Sequence, residues 1–310
     1  MEKRKKILWT IVFLLAAVLA GACFYCYPAW KAAKILQDKM DNSGFSYELQ
    51  VELDWESQPV KQRKALETLA KLTGIREESL YRLTIKGSTQ EDRIHMNIYP
   101  EGQTEPLAEF FFDDDSGVIN ETMLYNAIRG NLAGQYKMLE YLMPRQKEEL
   151  YMTLEQVEQL FGMDLSSIRD FRLAMEDSKM SAGQYFVILM AMKRETWEDG
   201  HRFAGGTEDM GLSIDVPSDS GDSAMVIRLR VENPAETLSG GERLLSWIGI
   251  EMPDVDLHAL KSISVALSSD EEGTVAMPTD FINQDIIDIL SKVREWLSET
   301  FAGEDSGNIL

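Results

Sequence analysis

The residues of this chain best suited to chemistry are clustered carboxylates. Asp113-Asp114-Asp115-Ser116-Gly117 brings three of them together, and carboxylate oxygens are ligands that Ca²⁺ prefers. A calcium loop of the EF-hand type needs further oxygen ligands at fixed spacing, whereas Val118 and Ile119 follow here. Asp, Ser and Gly favour turns, so this segment and Ser218-Asp219-Ser220-Gly221-Asp222 are interpreted as turns. We therefore assign no metal-ligating residue.

Three histidines, His95, His201 and His258, are the next candidates for acid–base or metal chemistry. No two of them have the H-x-x-x-H spacing of a metal-binding pair. The chain contains no H-E-x-x-H, G-x-S-x-G or S-x-x-K motif. Glycoside hydrolases use a pair of carboxylates that is recognised by the distance between them in space. The sequence does not give that distance, so no pair can be chosen from the 52 Asp and Glu residues. A hydrolase with acidic catalytic residues stays an alternative, and no catalytic residue, cofactor-binding residue or cofactor is assigned.

Leu238-Ser239-Gly240-Gly241-Glu242-Arg243 resembles the signature motif of ATP-binding-cassette ATPases. Those enzymes also need a G-x-x-x-x-G-K-[ST] loop to cradle phosphates, and the chain has none. Ser239 and Glu242 instead have the spacing of a capping box, in which two side chains satisfy the free N–H groups at the start of a helix. We interpret the segment as a helix start.

Alternating apolar and polar side chains predict the strands that would position polar groups. The clearest alternation runs from Phe45 to Leu53, with every second residue apolar. Further strand-like segments lie at residues 81–86, 94–98, 109–112, 118–119, 212–216, 225–231 and 257–267. The breaks between them, such as Gly87 to Asp92, are short and rich in turn-forming residues, and Glu198-Asp199-Gly200 has the pattern of a hairpin turn. Short connections predict that neighbouring strands are antiparallel.

Helical spacing of apolar residues predicts several separate helices. The run from Tyr185 to Met192 is different, because it is apolar on both faces, and it is predicted to be a central strand covered on both sides. Thr153 and Gln156 have the capping-box spacing and predict that a helix starts there. The other predicted helices are 28–42, 64–72 ended by Gly74, 121–143 interrupted at Gly130 and Gly134, and an amphipathic helix from Ile282 to Leu297.

Together these elements predict an α+β fold with antiparallel sheet. Two arrangements are compatible with the pattern. One is a single large curved sheet with helices packed into its concave side, and the other is two helix-plus-meander modules joined near residue 150. We favour the single sheet because no linker rich in Pro, Gly or Ser separates the halves. The predicted domain spans residues 28–302, and residues 303–310 form a polar tail.

The N-terminal segment is predicted to anchor the chain in a membrane. An uncharged, mostly apolar run from Ile7 to Tyr27 follows Lys3-Arg4-Lys5-Lys6. A helix of about 20 apolar residues spans a bilayer, and the cations before it keep residues 1–6 in the cytoplasm. Residues 7–27 are therefore predicted to be a single-pass transmembrane helix, which places the remainder outside the cytoplasm.

Two alternatives for the same segment remain open. Leu19-Ala20-Gly21-Ala22-Cys23 resembles a lipobox, in which a bacterial lipoprotein is cut before a cysteine that then carries the lipid. Ala20-Gly21-Ala22 also matches the small-residue cleavage site of a secretory signal. Each alternative puts the domain outside the cytoplasm. Since Cys23 and Cys26 are the two cysteines of the chain, the predicted exported domain has no disulfide.

The charge balance excludes one class of partner. The chain has 31 Lys and Arg against 52 Asp and Glu, a formal net charge of −21. Nucleic-acid binding relies on a basic surface that displaces counterions, so no nucleic-acid partner is expected. The same field is predicted to keep the domain soluble and to repel anionic lipid headgroups.

The element order from Trp30 to about Glu121 resembles exported bacterial proteins with a half-barrel of the lipoprotein-carrier type, the LolA/LppX-like fold. This resemblance implies a curved sheet whose concave, helix-capped face holds acyl chains or another apolar ligand. We therefore expect a membrane-tethered extracytoplasmic domain that binds or scaffolds something at the cell envelope. The expected partners are the membrane, through the N-terminal helix, and a lipid or an envelope protein.

Overall fold

A helix, α1, opens the described part of the chain at residues 25–41. The structure, a computed structural model, describes residues 25–41, 44–90, 93–113, 116–142, 145–146, 149–161, 180–197, 200–218, 224–238, 257–269, 275–285, 287–288 and 291–292. Within these residues no helix combines the length and the apolar composition needed to cross a bilayer. Residues 7–24 of the predicted anchor lie outside them.

Eleven strands form one antiparallel sheet in the order β6-β5-β4-β3-β2-β1-β11-β10-β9-β8-β7. The first six strands form one meander and the last five form another, and β1 pairs with β11 where the two meet. The strands are β1 (Phe45–Leu53), β2 (Arg82–Gln90), β3 (Arg93–Pro100), β4 (Ala108–Phe112), β5 (Gly117–Asn120), β6 (Tyr151–Thr153), β7 (Lys193–Trp197), β8 (Gly200–Gly206), β9 (Met210–Pro217), β10 (Val226–Glu232) and β11 (Leu260–Ser269).

The register of the central strands separates the sheet into two chemically different faces. Leu49 of β1 lies between Ile85 of β2 and Val265 of β11, while its neighbour Glu48 lies between Lys86 and Ala266. Side chains alternate between the two faces along a strand, so apolar residues share one face and polar residues the other. We call these the apolar face and the polar face.

The described helices lie between strands and at the ends of the sheet. Val60–Thr73 (α2) ends at Gly74, which has a φ of 72° and donates its N–H to the carbonyl of Ala70. A left-handed residue at a helix end favours glycine, as predicted. The remaining helices are α3 (Glu77–Leu80), α4 (Glu121–Gln135), α5 (Lys137–Leu142), α6 (Leu154–Phe161), α7 (Ala182–Ala191) and α8 (Pro234–Leu238), with a 3-10 turn at Leu257–Ala259.

The main core lies between α1, α7 and the apolar face of the second meander. Ala33 and Leu36 of α1 are fully buried and pack with Leu189 of α7 and with Phe203 and Ile214 of the sheet. At about 1.5 Å per residue, α1 is about 25 Å long. That length matches about 24 Å for the five strand spacings from β7 to β1. Since Tyr25 contacts β7 through Arg194 and α1 leads directly into β1, the helix crosses this half of the sheet.

The predicted α+β fold with antiparallel sheet is confirmed, and strands β1 to β5, β9 and β10 are found where alternation predicted them. Alternation did not predict β6, β7 or β8, and the strand predicted from Leu257 begins only at Leu260, after a 3-10 turn. The capping box at Thr153 and Gln156 is also present, with hydrogen bonds of 3.0 and 3.2 Å between the two residues. The turn predicted from Gly87 to Asp92 is too long, because β2 continues to Gln90. Helix α4 is not interrupted at Gly130 or Gly134 and continues to Gln135.

One prediction is wrong in kind. Tyr185 to Met192 was expected to be a central strand, whereas α7 occupies Ala182–Ala191. The helix starts with a capping box in which Ser181 and Gln184 bond each other's backbone N–H, and it is covered by α1. A run that is apolar all round is buried both as a strand and as a helix, and the capping box favours the helix. The predicted helix starting at Ser239, the polar tail and most of the last predicted helix lie outside the described residues.

Candidate functional sites on the two faces of the sheet

Apolar side chains at the centre of the apolar face remain partly exposed. Leu49, Ile85 and Val265 lie side by side in register on β1, β2 and β11, and none of them is fully buried. Under α1, by contrast, Val216 on the same face is completely buried. The other partly exposed members are Val51, Leu83, Met96, Ile98, Leu229, Ile263 and Leu267. We call these ten residues the central apolar strip.

The central apolar strip offers contact area and little else. Tyr47 lies on the same face beside the strip, and its hydroxyl donates a 3.0 Å hydrogen bond to the carbonyl oxygen of His95. Burial raises the pKa of Tyr47, so the phenol is neutral at physiological pH. A contiguous apolar surface with its polar group already paired can bind an apolar partner but has no group for acid–base work.

A cluster on the polar face has the groups that the apolar face lacks. Nε2 of His95 on β3 lies 2.8 Å from Oε1 of Glu109 on β4. Nδ2 of Asn120, at the end of β5, donates a 2.7 Å hydrogen bond to Oε2 of the same carboxylate. Asn120 is fully buried, and the side chain of Glu109 is 13 % exposed against 25 % for His95. Phe111 stacks on the imidazole at 4.6 Å and closes one side.

The charge state of this cluster follows from its hydrogen bonds. Burial is the largest influence on Glu109 and raises its pKa, but the bonds from His95 and Asn120 together outweigh it, so the net pKa is lowered. A carboxylate therefore accepts from Nε2–H of His95. Nδ2 of Asn97 lies 3.3 Å from the same nitrogen, and its Oδ1 has no partner among the described residues. An amide rotated by 180° would let Asn97 accept as well.

The same cluster places three catalytic residue types on adjacent strands. Ser88 of β2 lies directly opposite His95 in the register, and Ser46 of β1 lies opposite Ser88. Directly opposite side chains have Cβ atoms about 4.5–5.5 Å apart. A hydroxyl, an imidazole and a carboxylate are the groups of a Ser-His-acid arrangement. Ser88, His95 and Glu109 are thus the best candidates for chemistry in the described structure.

A second polar cluster holds one buried carboxylate between two arginines. Asp215 of β9 is 1 % exposed and accepts hydrogen bonds of 2.6 and 2.9 Å from Arg202 of β8 and of 2.8 Å from Arg228 of β10. The bond from Arg202 has the largest effect and lowers the pKa of Asp215, and Arg228 adds to it against the opposing effect of burial. Because one carboxylate holds guanidinium groups from both flanking strands, this cluster fixes their spacing.

Between these clusters the polar face has a shallow depression of about 770 Å³ lined by exposed ion pairs. They include Lys86 with Glu48 at 3.2 Å and Arg82 with Glu101 at 3.1 Å. Exposed ion pairs of this kind contribute little to stability because water screens them. The depression therefore has no strongly placed group that would select a ligand.

The residues singled out from the sequence are not brought together. His95 on β3 and His201 on β8 are six strand spacings apart, about 29 Å. Asp113 forms a turn as predicted, with its Oδ1 accepting from the backbone N–H of Ser116 at 2.7 Å and from its hydroxyl at 2.8 Å. Among the residues with a described position, no three His, Cys, Asp or Glu side chains are arranged to hold a metal.

Glu109 and Asp215 were not singled out from the sequence. Each lies in a strand whose partners could not be known, so no spacing signal connects Asp215 to Arg202 or Glu109 to His95. Comparison with protein-family models, with curated proteins and with solved structures finds no match to this chain.

Proposed function

We propose that the chain is a membrane-tethered extracytoplasmic binding domain and that the central apolar strip holds an apolar ligand, such as an acyl chain. The observation that carries this proposal is the partial exposure of Leu49, Ile85 and Val265 at the centre of an eleven-stranded sheet. Central strands are where a sheet normally buries its apolar face most completely.

The cost of this exposure supports a ligand over an empty surface. Burial of apolar area stabilises by about 25 cal/mol per Å², so ten partly exposed apolar side chains forgo several kcal/mol in total. Contiguous exposed apolar surface of this kind marks binding sites in monomeric proteins. A ligand with an alkyl chain would recover that free energy without needing a polar partner, which matches the chemistry of the strip.

The tether in this proposal is the apolar run of residues 7–27, with residues 1–6 in the cytoplasm. A lipid on Cys23 would serve equally as an anchor. The half-barrel resemblance extends the proposal to a sheet curved around the ligand. The ligand is then a component of the envelope, because the domain stands beside the bilayer that contains such molecules.

The test compares two variants of one strand. Val265→Asn places an amide on the central apolar strip, and Ser264→Asn places the same amide on the polar face one residue earlier. The full chain is purified in one mild detergent, and the lipid that it retains is quantified by mass spectrometry. We expect the wild type and Ser264→Asn to retain equal amounts, and Val265→Asn to retain less by about one molecule per chain. Equal retention by all three proteins would refute binding at the strip.

The envelope hydrolase is the second candidate, and the row of Ser88, His95 and Glu109 favours it. A serine activated by that pair reacts with a fluorophosphonate probe, because the probe traps nucleophilic hydroxyls. The prediction is labelling of the full chain that is lost in Ser88→Ala and kept in Ser46→Ala, which removes the next hydroxyl along the same row. Absence of labelling in the wild type would leave the binding domain as the remaining proposal.

A further inference from the structure

We infer that the surface where α1 begins lies against anionic lipid headgroups. This boundary surface comprises Tyr25, Tyr27, Trp30, Lys31, Lys34 and Arg194. The inference rests on the proposed tether and adds the orientation of the domain and the charge class of lipid that it contacts. It does not depend on what the central apolar strip binds.

Aromatic side chains are unusually exposed on the boundary surface. Tyr25 and Tyr27 are 63 % and 64 % exposed, and Trp30 is 40 % exposed. Phe186 of α7 packs edge-on against Trp30 at 5.7 Å, so α7 borders this surface. Tyr and Trp have an apolar body and a polar edge, which is why they concentrate at membrane–water boundaries.

Cations are held directly on these rings. Nζ of Lys34 lies 5.3 Å from the centre of the Trp30 ring, and the Arg194 guanidinium lies 5.5 Å from that of Tyr25. Arg194 also donates a 3.2 Å hydrogen bond to the backbone carbonyl of Tyr25, and Lys31 donates to the carbonyl of Ser218. Arginine and lysine placed over aromatic rings keep their charge at the surface, where lipid phosphates are accessible.

The local charge is opposite to that of the whole chain. Residues 25–37 contain two lysines and no acidic residue, and α7 is uncharged. The acidic groups nearest in sequence are Asp38 and Asp41 on the side of α1, and Glu195, Glu198 and Asp199 on the side of Arg194. Of these, Glu195 is paired with Lys193 at 2.8 Å. Burial lowers the pKa of His201, and the charges of Arg194 and Lys31 lower it further, which indicates a positive local field. In a chain of net charge −21, this patch attracts anions while the remainder is repelled.

The sequence continues from this surface into the predicted anchor. The apolar run from Ile7 leads directly to Tyr25, and Cys23 is two residues before it. An uncut transmembrane helix and a lipid on Cys23 therefore both hold Tyr25 at the bilayer surface. At about 1.5 Å per helical residue, Lys34 is about 14 Å further along α1, within reach of the headgroup layer if the helix is inclined.

This placement orients the sheet. Arg194 belongs to β7, the edge strand, so that edge faces the bilayer. Since α1 leads from β7 to β1, Leu49 on β1, in the central apolar strip, stands about 25 Å from Tyr25. The acidic remainder of the domain then points away from the headgroups. The earlier expectation that the whole domain is repelled by anionic lipid is thus replaced by a contact limited to one edge.

The test measures how fast individual lysines react in the full chain. The protein is reconstituted in vesicles of phosphatidylcholine alone or mixed with phosphatidylglycerol, and lysines are reductively methylated and quantified by mass spectrometry. We expect Lys31 and Lys34 to react several-fold more slowly in the anionic vesicles. Lys86 and Lys261, on the polar face, serve as internal controls whose rates stay unchanged. High salt should remove most of the difference, because it screens surface charge.

Variants separate this inference from the tether. Arg194→Glu should reduce the protection of Lys31 and Lys34, whereas Arg230→Glu on the polar face should not. If the chain floats with vesicles but both lysines react equally fast in the two lipid mixtures, the boundary surface is refuted and the tether stands. If the chain does not float with either kind of vesicle, the tether is refuted and the inference fails with it.

Discussion

The aromatic side chain of Tyr47 on β1 lies against Gly87 on β2, its partner in the register. A Cβ added to Gly87 would lie 2.7 Å from the Tyr47 hydroxyl and 1.9 Å from the carbonyl oxygen of His95, which accepts the hydrogen bond of that hydroxyl. The missing side chain therefore lets the ring reach across β2 to β3. This contact ties three central strands together beside the central apolar strip.

We predict that Gly87→Ala destabilises the fold by about 1–3 kcal/mol, the range for forcing extra atoms into a packed site. Its control is Gly211→Ala on β9, since a Cβ there meets no heavy atom within 4 Å and no unusual φ is required. Urea denaturation of the full chain, followed by circular dichroism, measures both. Equal unfolding midpoints for the two variants would show that the sheet accommodates a methyl group beside the His95 carbonyl and Tyr47 at no cost.

The ion-pair cluster around Asp215 predicts a second stability effect. Asp215→Asn should cost about 2–3 kcal/mol at neutral pH, which corresponds to lost hydrogen bonds between charged groups. The larger penalty for leaving a buried charge without a partner does not apply, because the guanidinium groups of Arg202 and Arg228 are half exposed and water can solvate them. Asp209→Asn, an exposed position in the turn before β9, is the control.

The pH dependence of that effect has a definite sign. The pKa of Asp215 is lowered by folding, so its stabilisation is present above the unfolded pKa of about 3.9 and is lost as pH falls through the folded value. Asp215→Asn should therefore lose less stability than the wild type on acidification below about pH 4. Parallel pH profiles for the two proteins would contradict the lowered pKa.

Much of the sheet could be predicted, because alternation along a strand is a local signal that does not depend on pairing. Phe45 to Leu53 shows this, since its apolar and polar faces are those found in the structure. The run from Tyr185 to Met192 shows the limit, since an all-apolar segment has no periodicity that separates helix from strand. The signal that would have separated them was the Ser181 and Gln184 spacing just before it.

That cap gives a third prediction. Ser181→Ala removes the side chain that accepts from the Gln184 backbone N–H at 3.4 Å and should cost about 1 kcal/mol. Ser181→Asp should keep the stability close to that of the wild type, because Asp also caps helices and its charge suits the N-terminus of a helix. Thermal unfolding measures both variants. Equal losses in the two would show that packing against α1, rather than the cap, holds α7.

The candidate sites could not be predicted from sequence for a different reason. Glu109 follows His95 by fourteen residues, and their contact depends on the loop between β3 and β4 and on the register of Asn97 with Glu109. Neither a loop length nor a register is fixed by residue type alone. The same holds for the central apolar strip, because alternation identifies its side chains but not how far helices cover them.

The buried bond between Asn120 and Glu109 gives the last prediction. Asn120→Asp would place a second carboxyl group 2.7 Å from Oε2 of Glu109, in a site where Asn120 is fully buried and the Glu109 side chain is 13 % exposed. Two carboxylates this close cannot both ionise without a large cost, so one pKa rises above its unfolded value. We expect a loss on the order of 3 kcal/mol at pH 7, as for an uncompensated buried charge.

The sign with pH is then the reverse of that for Asp215. A raised folded pKa in an acid means that stability lost at neutral pH returns as pH falls through that value, because the shared proton replaces the missing N–H donor. Asn120→Asp should therefore approach wild-type stability near pH 5 in urea titrations. Asn126→Asp is the matched control, since Asn126 bonds the backbone of Gln146 through both amide atoms. If Asn120→Asp gains no more than this control on acidification, the Glu109 carboxylate is not the group that Asn120 faces.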